Sequence, residues 1–225
     1  MSWLPLVDLL RVMVRVTYYI DIISSWCKYF EPVWRELKEC FADEVEFDWA
    51  IALIPKDGLP RSAEEENEYY RRSGVLTKQP VMLNSAWVEP GVEEYLAPNL
   101  VALACLQLGV TGDEVRLALA DAAMVDGCKV HQLEVSASVA AKACKFSEEA
   151  ILGKASSAEV ESIVRASTAR FHALGINQRP AFYLESEIED RAVFSGLIKK
   201  EPLEATIRAM LEDAKSYRAW AAHMS

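Results

Sequence analysis

The chain has 225 residues, enough to bury a sizeable core as one large domain or as one domain carrying an insertion. Its composition is globular, with 52% hydrophobic and 26% charged residues, and its formal charge is -10. Non-specific binders of nucleic acid or anionic membranes depend on an excess of Lys and Arg, so this balance speaks against both. A small molecule or another protein is what the chain is expected to handle.

The N-terminus is apolar at Leu4, Leu6, Val7, Leu9, Leu10, Val12 and Met13, but Asp8 and Arg11 interrupt the run. No basic segment precedes it and no small-residue cleavage site follows, so it reads as a short packed helix or lead-in rather than a secretory signal. It is also too short to span a membrane. The five cysteines (Cys27, Cys40, Cys105, Cys128 and Cys144) are odd in number and scattered, without CxxC or Cys/His metal spacing. That usage fits a reduced, cytoplasmic protein with no metal site.

Residues 15–23, rich in β-branched and aromatic side chains, predict a strand. It ends at Ser24 and Ser25, where a helical pattern begins at once, with Trp26, Cys27, Phe30, Val33 and Leu37 on its apolar side through about residue 41. Two hydroxyls and a thiol therefore stand at a helix N-terminus. Unpaired N–H groups and the helix dipole stabilise negative charge there by roughly 0.3–1 kcal/mol, and a thiolate suits such a place. The plainer reading is equally open at this point: Ser24 caps the helix and Cys27 is a small buried residue.

Alternation at Val45, Phe47, Trp49, Ile51 and Leu53 predicts a second strand, and strand–helix–strand is the parallel βαβ unit. Pro55, Gly58 and Pro60 close it. Residues 61 to about 91 are polar and irregular, with a helical patch at 64–72 whose Glu64-Glu65-Glu66 reads as a solvated helix start. Helical patterns then cover about 99–108, 113–126, 133–144 and 158–174, with Gly109, Gly112, Gly127 and Gly153 as stops. Cys40, Cys105, Cys128 and Cys144 lie in helical patterns and are expected in the core or an interface. His131, His172 and His223 have no ligand partner at helical spacing. Strands return at 181–184 and 191–194. A last helix opens near Pro202 and is expected to bury Leu203, Ile207, Met210, Leu211, Ala214 and Tyr217. The expected class is α/β, in three stretches: 1–60 (βαβ), 61–174 (helical insertion) and 175–225 (ββα).

That order, with the residues of the first turn, resembles the thioredoxin fold in its DsbA-like arrangement, in which a helical domain is inserted into a thioredoxin core. The segment Ser24-Ser25-Trp26-Cys27-Lys28-Tyr29-Phe30-Glu31-Pro32 lines up with C-x-x-C-K-x-x-x-P. Ser24 takes the place of the attacking cysteine, Cys27 that of the resolving one, and Pro180 that of the cis-proline facing the turn. Within the superfamily, Asp21-Ile22-Ile23-Ser24-Ser25-Trp26 resembles the D-x-x-S-P-Y turn of kappa-class glutathione transferases and 2-hydroxychromene-2-carboxylate isomerases. There a serine hydrogen-bonds the thiol of bound glutathione. This chain departs from that branch in having Ser25 for the proline. It also lacks an aspartate in Phe194-Ser195-Gly196-Leu197-Ile198, where the branch has G-x-D-R.

The resemblance implies Ser24 and Cys27 as the reacting positions, with Ser25, Trp26, Gln178, Arg179, Pro180 and Asn99 around the substrate. Arg179 could hold a substrate carboxylate in its fork. Asn84, Trp87 and Asn99 fall where the insertion could roof the turn, with a helix cap as the competing role for Asn99. Glutathione or another low-molecular-weight thiol is the implied cofactor, activated by Ser24 for transfer, isomerisation or reduction of a small electrophile. Because family members often pair through the helical insertion, a homodimer is also implied. Two other functions stay open: thiol–disulfide exchange through Cys27 alone, and a catalytically idle protein that binds a ligand against Pro180.

Overall fold

The structure, a computed structural model, describes residues 13–78, 82–196 and 199–224. The expected lead-in at residues 4–13 lies outside these except for Met13. The first unit is β1 (Val14–Ile20), α1 (Ser25–Cys40) and β2 (Val45–Ile51). Six helices follow: α2 (Ala63–Thr77), α3 (Leu96–Gln107), α4 (Glu114–Met124), α5 (Leu133–Ala143), α6 (Glu148–Ala155) and α7 (Ala158–Ala173). The chain then closes with β3 (Ala181–Ser186), β4 (Arg191–Ser195) and α8 (Lys200–Met224). This is a thioredoxin fold with an inserted helical domain.

The four strands lie in the order β2-β1-β3-β4. β1 runs parallel to β2, which requires a crossover, and α1 supplies it. β3 and β4 add as an antiparallel hairpin on the other side of β1. The period-2 pleat sends alternate residues of β1 to opposite faces, and both faces are covered. On one, Tyr18 stacks on its cross-strand partner Phe182 with ring centroids 5.0 Å apart, and Phe30 and Trp34 of α1 close over them. On the other, Tyr19 packs with Ala52, Ala181 and Phe171 of α7. The last helix of the insertion thus also covers the sheet.

Charge pairs dock the insertion onto α1. Lys28 meets Asp121 and Lys38 meets Asp113, while Arg116, only 2% exposed, reaches Glu31 at 2.5 Å and Asp113 at 2.9 Å. Among the described residues no helix is long and apolar enough to cross a membrane, and no group of His, Cys, Asp or Glu is disposed to hold a metal ion.

Several boundaries differ from the sequence reading. β1 stops at Ile20 although Ile22 and Ile23 favour strand, because Asp21 turns the chain. Its carboxylate accepts the Ile23 N–H at 3.2 Å and its carbonyl accepts the Ser24 N–H at 3.0 Å. Helix α6 was not expected. It is capped by Ser147, which accepts from the Ala150 N–H, and Gly153 lies inside it rather than stopping anything. Cys40 is exposed, and Cys128 and Cys144 are only part-buried. In α8 the buried face ends at Ala214, and Tyr217 is exposed beside Trp220 and Met224.

Candidate active site

The turn between β1 and α1 is built around buried Asp21. Its carboxylate accepts three hydrogen bonds, from the Ile23 N–H, from the Ile54 N–H at 2.7 Å and from the Asn99 side-chain amide at 3.0 Å. Burial nevertheless raises its pKa, since these partners are neutral and replace only part of the lost hydration. Three segments meet on this one carboxylate: the turn, the chain after β2, and α3. The turn then presents Ser24 as the N-cap of α1, its Oγ accepting from the Cys27 N–H at 3.4 Å. Ser25 Oγ accepts from Ser73 Oγ of α2, also at 3.4 Å.

A cavity of about 360 Å³ opens on this helix end. Ser24, Ser25 and Trp26 form its floor, with Ile54, Gly58 and Pro60 along one side. Glu66, Tyr69 and Arg72 of α2, together with buried Trp87, enclose the rest. Both serines are only 6% exposed, so their hydroxyls are reached through this space.

Cys27 is not part of the lining. One turn into α1 it faces the core, 3% exposed, with its carbonyl accepting from the Tyr18 hydroxyl. Burial pushes its thiol up to about 11, while hydrogen bonding from Ser24 and from the Asp21 backbone pulls weakly the other way. The helix-end effect, which lowers a thiol's pKa at an exposed position, is outweighed here by desolvation.

Four other expected contacts also lie outside the lining. Asn99 is fully buried inside α3. Its amide donates to Asp21 and to the Tyr95 carbonyl, and its Oδ1 accepts the Ile22 N–H at 3.2 Å. It neither caps α3, whose N-cap is Tyr95, nor faces the cavity. Arg179 directs its guanidinium to the carbonyls of Ala52, Leu53 and Asn177 and stacks over Phe171 at 4.6 Å. The fork expected to hold a substrate carboxylate is engaged within the protein. Gln178 is exposed and packs over Gly196, where any Cβ would collide with its side chain. Pro180 is buried, follows a cis peptide bond, and directly precedes Ala181, the register partner of Tyr19. It therefore stands at the end of β1 from which the Ser24 turn departs. Of the roof candidates, Trp87 lines the cavity; Asn84 instead bonds the Val125 carbonyl and the Ala86 N–H.

Glu66, Tyr69 and Arg72 were missed. The acidic run looked solvated, yet Glu66 is 5% exposed, and burial pushes its carboxyl up to about 8. The signal for it was the spacing Glu66, Tyr70, Ser73, a polar stripe at i, i+4 and i+7 on a helix poor in apolar residues.

No curated protein matches the chain. Solved structures do, at low identity. A Nitrosomonas europaea protein, provisionally assigned as a protein disulfide isomerase, superposes with a TM-score of 0.70 at 18% identity, covering 89% of this chain and 98% of that one. The cytosolic disulfide reductase DsbM from Pseudomonas aeruginosa, solved with GSH, gives 0.67 at 16% identity, over 88% and 99%. DsbA from Pseudomonas aeruginosa gives 0.59 at 14% identity, over 97% and 91%. Likeness at such identity establishes the fold and not the reaction. The sequence itself matches the DSBA-like thioredoxin domain over residues 15–208, and the chain belongs to that family.

Proposed function

We propose that the protein is an intracellular, thiol-dependent enzyme of the DsbA-like superfamily that uses a bound low-molecular-weight thiol, glutathione or a close analogue, as its nucleophile. The observation that carries this reading is the cavity over the α1 N-terminus, floored by two hydroxyls where a dithiol enzyme presents its attacking sulfur. A serine alkoxide is out of reach near neutral pH, so Ser24 cannot attack a disulfide. It can hydrogen-bond a sulfur anion brought from solution, while the unpaired N–H groups and dipole of α1 favour that anion's charge. The site then supplies orientation and a lowered thiol pKa, which suffices for transfer, isomerisation or reduction of a small electrophile. The likeness to a disulfide reductase solved with GSH, and the presence of five free cysteines, accord with this reading.

Exchange through Cys27 is the weaker alternative, because its thiol is enclosed and shifted toward the neutral form. Binding without catalysis against Pro180 is weaker too, since Pro180 does not line the cavity.

The test is conjugation of glutathione to 1-chloro-2,4-dinitrobenzene. Ser24→Ala should lower the catalysed rate by about tenfold or more, as for loss of one hydrogen bond to a developing anion. Its effect on stability should stay within the roughly 0.5–2 kcal/mol of a lost cap. Absence of catalysis, or a Ser24→Ala rate equal to that of the unaltered protein, would sink the proposal.

A further inference from the structure

A second cavity opens between α1 and α4 and shares no lining residue with the one over Ser24. The sequence explains why the two helices stand apart there. Asp113, Leu117, Asp121 and Val125 recur every fourth residue and so form one face of α4, from its N-cap to its C-cap. Lys28 of α1 pairs with Asp121 and Lys38 with Asp113, so the helices run antiparallel and are clasped at both ends. From Lys28 to Lys38 the helix rises about 15 Å. Between the clasps α1 presents Pro32, whose compact ring fills less space than a long apolar side chain, and a cavity of about 630 Å³ remains.

Its walls are largely apolar, supplied by Tyr29, Pro32, Trp34, Leu83, Leu117 and Val125. Size and make-up are those of a small-molecule site. Two polar groups of the lining have no partner among the described residues. The first is the indole N–H of Trp34. Trp34 is 1% exposed, with Tyr18 packed on its ring at 4.8 Å and Phe47 meeting it edge-on at 5.3 Å. The Tyr18 hydroxyl is engaged with the Cys27 carbonyl, and a phenyl ring carries no acceptor oxygen. A buried indole N–H ordinarily has an acceptor. The second is Arg35, exposed on α1 and in no ion pair. The other charges at the cavity cancel: Glu31 meets Arg116, Asp113 meets Lys38 and Arg116, and Asp121 meets Lys28. Three cations answer three acids, and Arg35 leaves one positive charge over.

We propose that the space between α1 and α4 is a binding site for an apolar carboxylic acid that carries a second oxygen acceptor. The apolar body lies between the clasps, against Trp34 and Leu117. Its neutral oxygen accepts the Trp34 N–H, and its carboxylate meets the guanidinium of Arg35. An amine would instead face that guanidinium and find every acid of the lining already paired. This site is independent of the thiol-using reading of the other cavity, and either can fail without the other.

Naproxen, a naphthalene with a methoxy oxygen at one end and a carboxylate at the other, is the probe, and its primary amide is the uncharged control. In proton–nitrogen correlation spectra of the unaltered protein, the indole signal that Trp34→Phe removes should move downfield and saturate as naproxen is added. Arg35→Gln, at an exposed position, should weaken naproxen about fivefold at low salt, the scale of one ion pair at a cavity mouth, and leave the amide little changed. Ser24→Ala should bind naproxen as the unaltered protein does, and glutathione should not displace it. No saturable movement of the Trp34 signal at millimolar naproxen, or loss of binding in Ser24→Ala, would overturn the site. Equal weakening of acid and amide in Arg35→Gln would overturn the choice of a carboxylate.

Discussion

The Asn99 side-chain amide donates to the Asp21 carboxylate across 3.0 Å, so a helix of the insertion holds the turn on which Ser24 stands. The two residues are far apart in sequence and both are buried. Asn99 satisfies three groups at once, namely Asp21, the Tyr95 carbonyl and the Ile22 N–H. Asn99→Ala would strand the last of these and strip Asp21 of a donor. A buried polar group left without its partner costs about 1–3 kcal/mol, so urea denaturation should show a loss at or above the top of that range. A loss under half a kcal/mol would mean that the turn does not depend on the insertion.

Arg179 should matter to stability and not to recognition of carboxylates. Its guanidinium joins the chain after β2 to the segment before β3 and covers Phe171. Arg179→Lys keeps the charge but loses the planar fork and the stacking, and should cost about 1–3 kcal/mol by chemical denaturation. Glutathione affinity, measured by calorimetry on protein that remains folded, should change little. A selective loss of affinity at unchanged stability would return Arg179 to the ligand site.

Thiol accessibility gives a direct measure of the Cys27 environment. Cys40 is exposed, Cys128 and Cys144 are part-buried, and Cys27 and Cys105 are enclosed. With a thiol reagent at neutral pH, Cys40 should be modified first, while Cys27 is modified only on unfolding. The thiolate is the reactive form, and a thiol pushed up to about 11 presents about one part in ten thousand at pH 7. Rapid native labelling of Cys27, or a glutathione adduct on it by mass spectrometry, would favour the exchange mechanism instead.

The strands, α1 and α8 were legible because the signal for each is written locally: β-branched and aromatic content for β1, a period of two for β2, and 3.6 for α1 and α8. The Ser24 turn was legible from an abrupt change of pattern. What escaped depends on partners distant in sequence. Ile22 and Ile23 favour a strand, and only the several bonds made by Asp21 show why the strand stops before them. Asn99 looked like a cap because its real partners lie in another unit of the fold. Arg179 looked available because a free guanidinium and one spent on main-chain carbonyls have the same sequence. Glu66 was hidden by its own neighbours, since three consecutive glutamates cannot all share one helix face and nothing local says which turns inward.

That inward turn should be visible in the pH dependence of stability. In the unfolded chain Glu66 has the ordinary value of 4.5, and in the folded protein about 8. Between these values the folded state holds a proton that the unfolded state has released. Stability is therefore greatest below about pH 4.5 as far as this group is concerned, declines as pH rises, and levels off above about 8. Full realisation of that displacement corresponds to about 5 kcal/mol. Buried Asp21, also raised, adds to the decline in the same direction. Glu66→Gln has nearly the same shape and cannot ionise, so its stability curve should be flatter between about pH 5 and 8 than that of the unaltered protein, and the variant should be the more stable of the two at pH 8. Urea titrations across this range decide the matter: parallel curves would mean that Glu66 ionises in the folded protein as freely as it does in water.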